Sequence, residues 1–213
     1  MTKYGSSAVG NRGLENLNGN VLCAIDTETT GLKAGFHDVI EVAIVPLDTN
    51  LDIMQEVPPF HMILQPKRPE RITAEAMKVN GFSLDQLMIE GMDPWRAADL
   101  FDSWFQRLKL APGKKISPLG KNWPFDKGFI EDWVGPETFN QCFHYHYRDV
   151  GPVALFMNDR AEFQTPGKFP FPKTSLQYVA TTLGIETDRA HRALEDAVVT
   201  AKVYKKMMTM KLD

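Results

Sequence analysis

The sequence predicts a mixed α/β domain built around a central sheet, and three observations carry that reading. Short apolar runs bounded by turn residues fill the first third of the chain. Apolar residues at three- and four-residue spacing fill its middle and its end, and a strand-like stretch separates the two helical parts. Size and composition agree: 213 residues, 43% hydrophobic and 24% charged. A domain of this size buries roughly 70% of the surface its unfolded chain exposes, which excludes wholesale disorder.

Residues 1–20 are rich in Gly, Ser and Asn without a hydrophobic period, so they read as a mobile arm ahead of a single domain over residues 21–213. Residues 21–25 and 39–45, the second run broken only by Glu41, read as buried strands, and residues 60–64 as a third. From residue 73 to 110 the period turns helical, with Met77, Leu84 and Leu87 and then Ala97, Phe101 and Trp104 recurring at helical spacing. Pro112 and Gly113 end that part. Residues 116–119 form a fourth strand candidate, 129–133 part of a helix, and the alternating stretch 139–147 a fifth strand. The proline-rich residues 165–172 are a loop by composition, and helices over about 175–183 and 193–208 close the chain.

Charge and cysteine content narrow the function. The 24 basic and 27 acidic residues give a net charge of −3, which argues against a protein gripping long duplex nucleic acid along an extended basic face. An enzyme holding only a chain end needs few phosphate contacts and stays compatible with this balance. No run approaches the ~18 apolar residues of a membrane span, and the N-terminus lacks the apolar centre of a signal peptide, so we expect a soluble, cytoplasmic protein. Cys23 and Cys142 cannot form a disulfide framework, and we expect both reduced.

The chemistry concentrates in three acidic segments. In Ile25-Asp26-Thr27-Glu28-Thr29-Thr30-Gly31-Leu32, a strand would place Asp26 and Glu28 two residues apart with both carboxylates on one face. Such a pair repels unless one acid is protonated or a cation neutralises both, and oxygen ligands suit a hard ion such as Mg²⁺ or Mn²⁺. Taken alone, D-x-E is more often an exposed turn with solvated acids. In the second segment, residues 120–129, Asp126 follows Phe125 between the apolar anchors Trp123 and Phe129, either held against a core or capping a helix. In the third, His191 precedes the final helix, on which Asp196 is flanked by the small Ala193 and Ala197 that permit close approach to the sheet. The near-neutral pKa of histidine makes His191 a credible general base, although an isolated histidine is more often a surface or capping residue.

In combination these segments resemble, over residues 21–208, the DEDD 3′–5′ exonucleases, the group of the bacterial proofreading subunits (DnaQ-like), RNase T and oligoribonuclease. Asp26 and Glu28 match the first family motif, Asp126 the second and Asp196 the third. The position four before Asp196, tyrosine in one branch, is Arg192, while His191 has the spacing of the histidine branch, DEDDh. The resemblance implies an RNase H-like fold, a mixed five-stranded sheet with one antiparallel strand and helices on both faces. It implies two Mg²⁺ or Mn²⁺ ions, with Asp26 bridging them, Glu28 and Asp196 completing the tighter site and Asp126 supporting the second. His191 would take the proton of the water attacking the terminal phosphodiester, and a 5′-mononucleotide would leave.

The same resemblance places Thr29, Gly31 and Leu32 in the pocket for the terminal nucleotide, with Phe125 and Trp123 as apolar or stacking walls. Many proofreading relatives carry histidine before the motif asparagine, where this chain has Lys121. The implied partners are single-stranded or frayed 3′ ends of DNA or RNA, and a DNA polymerase presenting them in proofreading. The competing reading is a binding module of the same fold that has lost turnover and docks on a polymerase. Cys142, His144 and His146 alternate, but three residues fall short of a structural zinc site. For Glu41 we expect a salt bridge or a strand-end position rather than a metal, and for Asp149 a support of the acidic site or a loop-start cap.

Overall fold

A computed structural model describes residues 14–167, 169–187 and 191–210. The apolar runs of the first third form β1 (Val21–Thr29), β2 (Val39–Leu47) and β3 (Phe60–Ile63), and two later strands, β4 (Ile116–Gly120) and β5 (Arg148–Asp149), complete the sheet. The order is β3-β2-β1-β4-β5. β2 runs antiparallel to both of its neighbours, while β1, β4 and β5 pair in parallel, so one strand opposes the rest. This is the mixed five-stranded arrangement of the RNase H-like fold.

Both faces of the sheet are covered, which explains why β1 and β2 read as continuous rather than alternating apolar runs. On one face Cys23, Ile25, Val42 and Ile44 pack against α3 (Pro94–Arg107), α4 (Trp123–Val134) and α5 (Pro136–Cys142) through an aromatic cluster including Phe60, Phe101 and Trp133. On the other, Leu22, Ala24 and Val45 meet α6 (Val150–Gln164), α7 (Leu176–Thr182) and α8 (Ala193–Thr209). Ala193, Ala197 and Ala201 form a buried stripe at four-residue spacing, which lets α8 lie close across β1 and β2. Two short helices, α1 (Ala74–Asn80) and α2 (Leu84–Glu90), start on Thr73 and Ser83, whose side chains accept from the backbone N–H of Ala76 and Gln86.

Three expectations need correction. Of the proposed arm, residues 1–13 lie outside the described residues, but residues 14–20 pack on the domain: the Leu14 N–H donates to Thr49 O, and Leu17 is buried in the α8-side core. The expected strand over 139–147 is mostly something else. Phe139 and Cys142 belong to α5, Phe139 stacks on Phe143 four residues later, and the strand itself is only Arg148–Asp149. Local alternation lost to an i, i+4 aromatic pair. Helix α6 was not anticipated, because its apolar residues do not gather on one side: Ala154 and Met157 are buried, whereas Leu155, Phe156 and Phe163 face solvent. Pro152 near its start reads as a turn signal, yet the first helical turn tolerates proline. Among the described residues no helix is long and apolar enough to cross a membrane.

Candidate active site

The acidic residues meet at the C-terminal end of β1. Its even-numbered residues face α8, so Asp26 and Glu28 share that face, as their two-residue spacing requires. The register of the sheet shifts between Glu28 and Thr29, a β-bulge that ends regular pairing beside the acids. Asp126 enters from the first turn of α4 and accepts a hydrogen bond from Thr27 Oγ1 at 2.7 Å. It is therefore held by the sheet and does not cap the helix. Asp196 projects from the first turn of α8 and accepts from the backbone N–H of His191 at 2.9 Å. His191 is exposed, with φ of +68°, and one ligand atom each from Glu28, His191 and Asp196 lie within 4.8 Å of one another.

The electrostatics are those of like charges packed together with only partial compensation from Arg192. Burial, then Asp126, Glu28 and Asp196, push the Asp26 carboxyl well above the ordinary carboxylate range. Burial and the neighbouring Glu41 and Asp196 push Glu28 up to about 8. Burial also raises Asp126, to about 7, against the opposing hydrogen bond from Thr27. Asp196 is raised by burial, partly offset by the His191 N–H. Oxygen donors in this number, with protons held so tightly, fit a site for hard divalent cations.

One acid on the same face behaves differently. Glu41 is the cross-strand partner of Glu28 and fully buried, a pairing that is unfavourable by itself. Its carboxylate accepts from Arg192 Nε at 3.1 Å and from the Ala193 N–H at 3.2 Å, and pairs with His61 Nε2 at 2.7 Å. Burial works to raise Glu41, but the bonds from His61, Arg192 and Ala193 outweigh it and hold it below its usual value. The salt bridge expected for Glu41 is thus present, and it pins the start of α8, where His191 and Asp196 sit, to β2 and β3.

A cavity of about 480 Å³ opens beside these acids, lined among others by Thr27, Glu28, Phe125 and Ala76. Thr29, Gly31 and Leu32 line it as expected, and Phe125 forms part of its wall. Gly31 permits close approach, since a Cβ there would sit 2.5 Å from the His37 ring and force that ring to move. Trp123 does not take the role proposed for it. It is 2% exposed, packs near Phe143 in the aromatic core, and its backbone N–H is bound by Asp149 Oδ2. Asp149 is the cap that the sequence allowed, since Oδ1 also accepts from Gly151 at the start of α6.

Sequence reasoning missed the opposite wall, where α1 contributes Ala76, Val79 and Asn80. Asn80 Nδ2 donates to Thr29 O and the Thr73 N–H to Thr30 O, so α1 also fixes the loop after β1. Thr73 stood at the start of the helical period, but nothing local announced either its capping of α1 or its bond to Thr30. Cys142, His144 and His146 form no metal group among the described residues; His144 Nδ1 instead accepts from the His146 N–H.

Two measurements follow from this geometry. Glu28 has a folded pKa raised from 4.5 to about 8, so its protonated form stabilises the metal-free fold below pH 4.5, and that contribution is lost as pH rises toward about 8. In EDTA the melting temperature should therefore fall over this window. Saturating Mn²⁺ should restore it, more strongly at about pH 8 than at about pH 6, because the cation competes with protons. A Mn²⁺ increment independent of pH would contradict the assignment of these acids. Urea melts of Arg192→Ala and Glu41→Gln test the second cluster. Arg192→Ala strands a buried carboxylate and should cost about 3 kcal/mol. Glu41→Gln should cost less, because the Arg192 side chain is 33% exposed and can turn to water.

Across residues 23–204 the sequence matches the RNase T family, described as exonuclease. The 3′-5′ DNA exonuclease Cap18 of Escherichia coli is 25% identical over 186 residues, covering 87% of this chain and 90% of that protein. The PolC-type DNA polymerase III of Listeria welshimeri is 28% identical over 189 residues, covering 87% of this chain, which spans only 11% of the polymerase. In fold, E. coli exonuclease I in complex with a dA16 oligonucleotide aligns with a TM-score of 0.69 at 17% identity, over 89% of this chain and 41% of that one. A family match that runs through both core layers and includes Asp26, Glu28, Asp126 and Asp196 settles the lineage: this chain belongs to the exonuclease family, on its DnaQ-like branch with the RNase H-like fold.

Proposed function

We propose that the protein is a divalent-metal-dependent 3′–5′ exonuclease of the DEDDh type, removing 5′-mononucleotides from single-stranded or frayed nucleic-acid ends. The observation that carries this reading is the meeting of Asp196 and His191 with Glu28, which lines an apolar-walled cavity, and the presence of Asp126 close enough to Asp26 to raise its pKa. The cavity accepts a terminal nucleotide, with Leu32, Val79 and Phe125 offering apolar surface to its base. Such contacts tolerate any base, so little sequence preference is expected.

Asp26, Glu28, Asp126 and Asp196 would hold a pair of Mg²⁺ or Mn²⁺ ions. Bound there, such ions supply charge stabilisation at the phosphate and lower the pKa of an attacking water. His191, exposed and close to Glu28 and Asp196 on a backbone fixed through Asp196, would accept the proton of that water. The water oxygen bonds to phosphorus, the bond from phosphorus to the upstream 3′ oxygen breaks, and that oxygen takes up a proton as the shortened strand. The PolC-type relative supports ends presented by a polymerase as one setting for this activity.

The test is stepwise shortening of a 5′-labelled single strand in Mg²⁺ or Mn²⁺. EDTA should abolish it, and Asp26→Ala should lower turnover by at least about a thousandfold without loss of fold. His191→Ala should cut turnover by about a hundredfold or more while Mn²⁺ still raises the melting temperature. Shortening that persists in EDTA, or in Asp26→Ala, would overturn the mechanism.

A further inference from the structure

Beside the cavity, residues 32–37 form a surface loop that is rigidly braced yet holds apolar side chains outward. Leu32 is 85% exposed and Phe36 44% exposed. Arg68 fixes the loop from below: its Nε donates to Asp38 Oδ1 at 2.8 Å, its terminal nitrogens reach the carbonyls of Gly35 and His37, and it also pairs with Asp132 on α4. Within the loop, the N–H groups of Phe36 and His37 donate to Lys33 O, and the Lys33 N–H donates to His37 Nδ1. A loop without function does not need to expose an aromatic ring from so fixed a backbone.

Cations surround that ring. The guanidinium carbon of Arg71 lies 4.7 Å from the Phe36 centroid, and Lys33 Nζ lies 5.9 Å from it. Among the described residues Arg71 pairs with Glu70, at 3.4 Å on the exposed surface, a contact that leaves its charge largely available. An aromatic face flanked by cations matches single-stranded nucleic acid, with the ring taking a base and the cations taking phosphates. In a protein of net charge −3, whose cavity rim is itself acidic, such local cations also lessen the repulsion of an incoming strand.

His37 links the two places. Its ring lines the cavity and meets Phe36 edge-on, with centroids 4.9 Å apart. We propose that Phe36, Arg71 and Lys33 form a second binding site, taking the single strand upstream of the bond that is cut. The inference rests on the exonuclease reading of the cavity: a strand whose 3′ nucleotide is seated there and whose next residue passes over Leu32 meets Phe36 and its cations next.

The experiment compares two substrates. One is the p-nitrophenyl ester of thymidine 5′-monophosphate, which has no upstream nucleotide, and the other is a labelled oligothymidylate of about ten residues. Phe36→Ala should raise KM for the oligonucleotide about tenfold, leave kcat near wild type and leave the ester unaffected, and Phe36→Tyr should restore KM. Arg71→Ala should weaken oligonucleotide binding and reduce the slope of log affinity against log salt by about 0.7. Equal losses on both substrates, or none on the oligonucleotide, would overturn the proposal. If the wild type cleaves neither substrate, nor an oligouridylate of the same length, the exonuclease reading itself fails. Fluorescence anisotropy with the oligothymidylate then decides separately, since unchanged affinity in Phe36→Ala excludes the second site and a tenfold loss supports it.

Discussion

Repulsion among carboxylates on one face of the sheet is the constraint around which the rest of this molecule is arranged. Asp26, Glu28 and Glu41 share the face that meets α8, and Asp126 and Asp196 are brought up to them from two helices. The fold compensates these acids unequally. Glu41 receives a guanidinium, an imidazole and a backbone N–H, and its pKa falls. Asp26 and Glu28 receive no comparable partner among the described residues, and theirs rise. That contrast separates an acid that serves the architecture from the acids proposed to hold a cation, and it does so with residues whose sequence surroundings look much alike.

The positions of α8 and of the loop after β1 follow from the same arrangement. The alanine stripe lets α8 approach the sheet, but the ion pair between Glu41 and Arg192 fixes where it begins, and hence where His191 and Asp196 stand. Arg192 occupies the position that carries tyrosine in the other branch of the resembling exonucleases, and here it is committed to the sheet. On the opposite side, α1 ties down Thr29 and Thr30 while Arg68 braces the loop beyond them. Reactive geometry on rigid supports needs little reorganisation when substrate arrives, which is where electrostatic catalysis gains most.

Where sequence reasoning failed, the failures share a cause. Trp123 stands in a motif beside Asp126, yet it is buried in the aromatic core against Phe143 and offers no wall to the cavity. The stretch around Phe139 alternates like a strand but is governed by a helical aromatic pair. Helix α6 exposes Leu155 and Phe156, so its period is blurred. In each case burial or exposure in the folded chain, and not the local pattern of residue types, decided where the side chain went.

What could be read along the chain was therefore whatever depends on local spacing: the apolar runs of β1 and β2, the small Ala193 and Ala197 of α8, and the three acidic segments whose order and residue types point to the family. These carry their information within a few residues, because backbone geometry fixes the direction of side chains two or four positions apart. The tie of Arg192 to Glu41 spans 151 residues, the bond of Thr27 to Asp126 spans 99, and the cavity wall joins α1 to the end of β1. No local pattern encodes such pairings. They arise only when the sheet sets its register and the helices close over it, because ion pairs, buried hydrogen bonds and pKa shifts depend on distance in space.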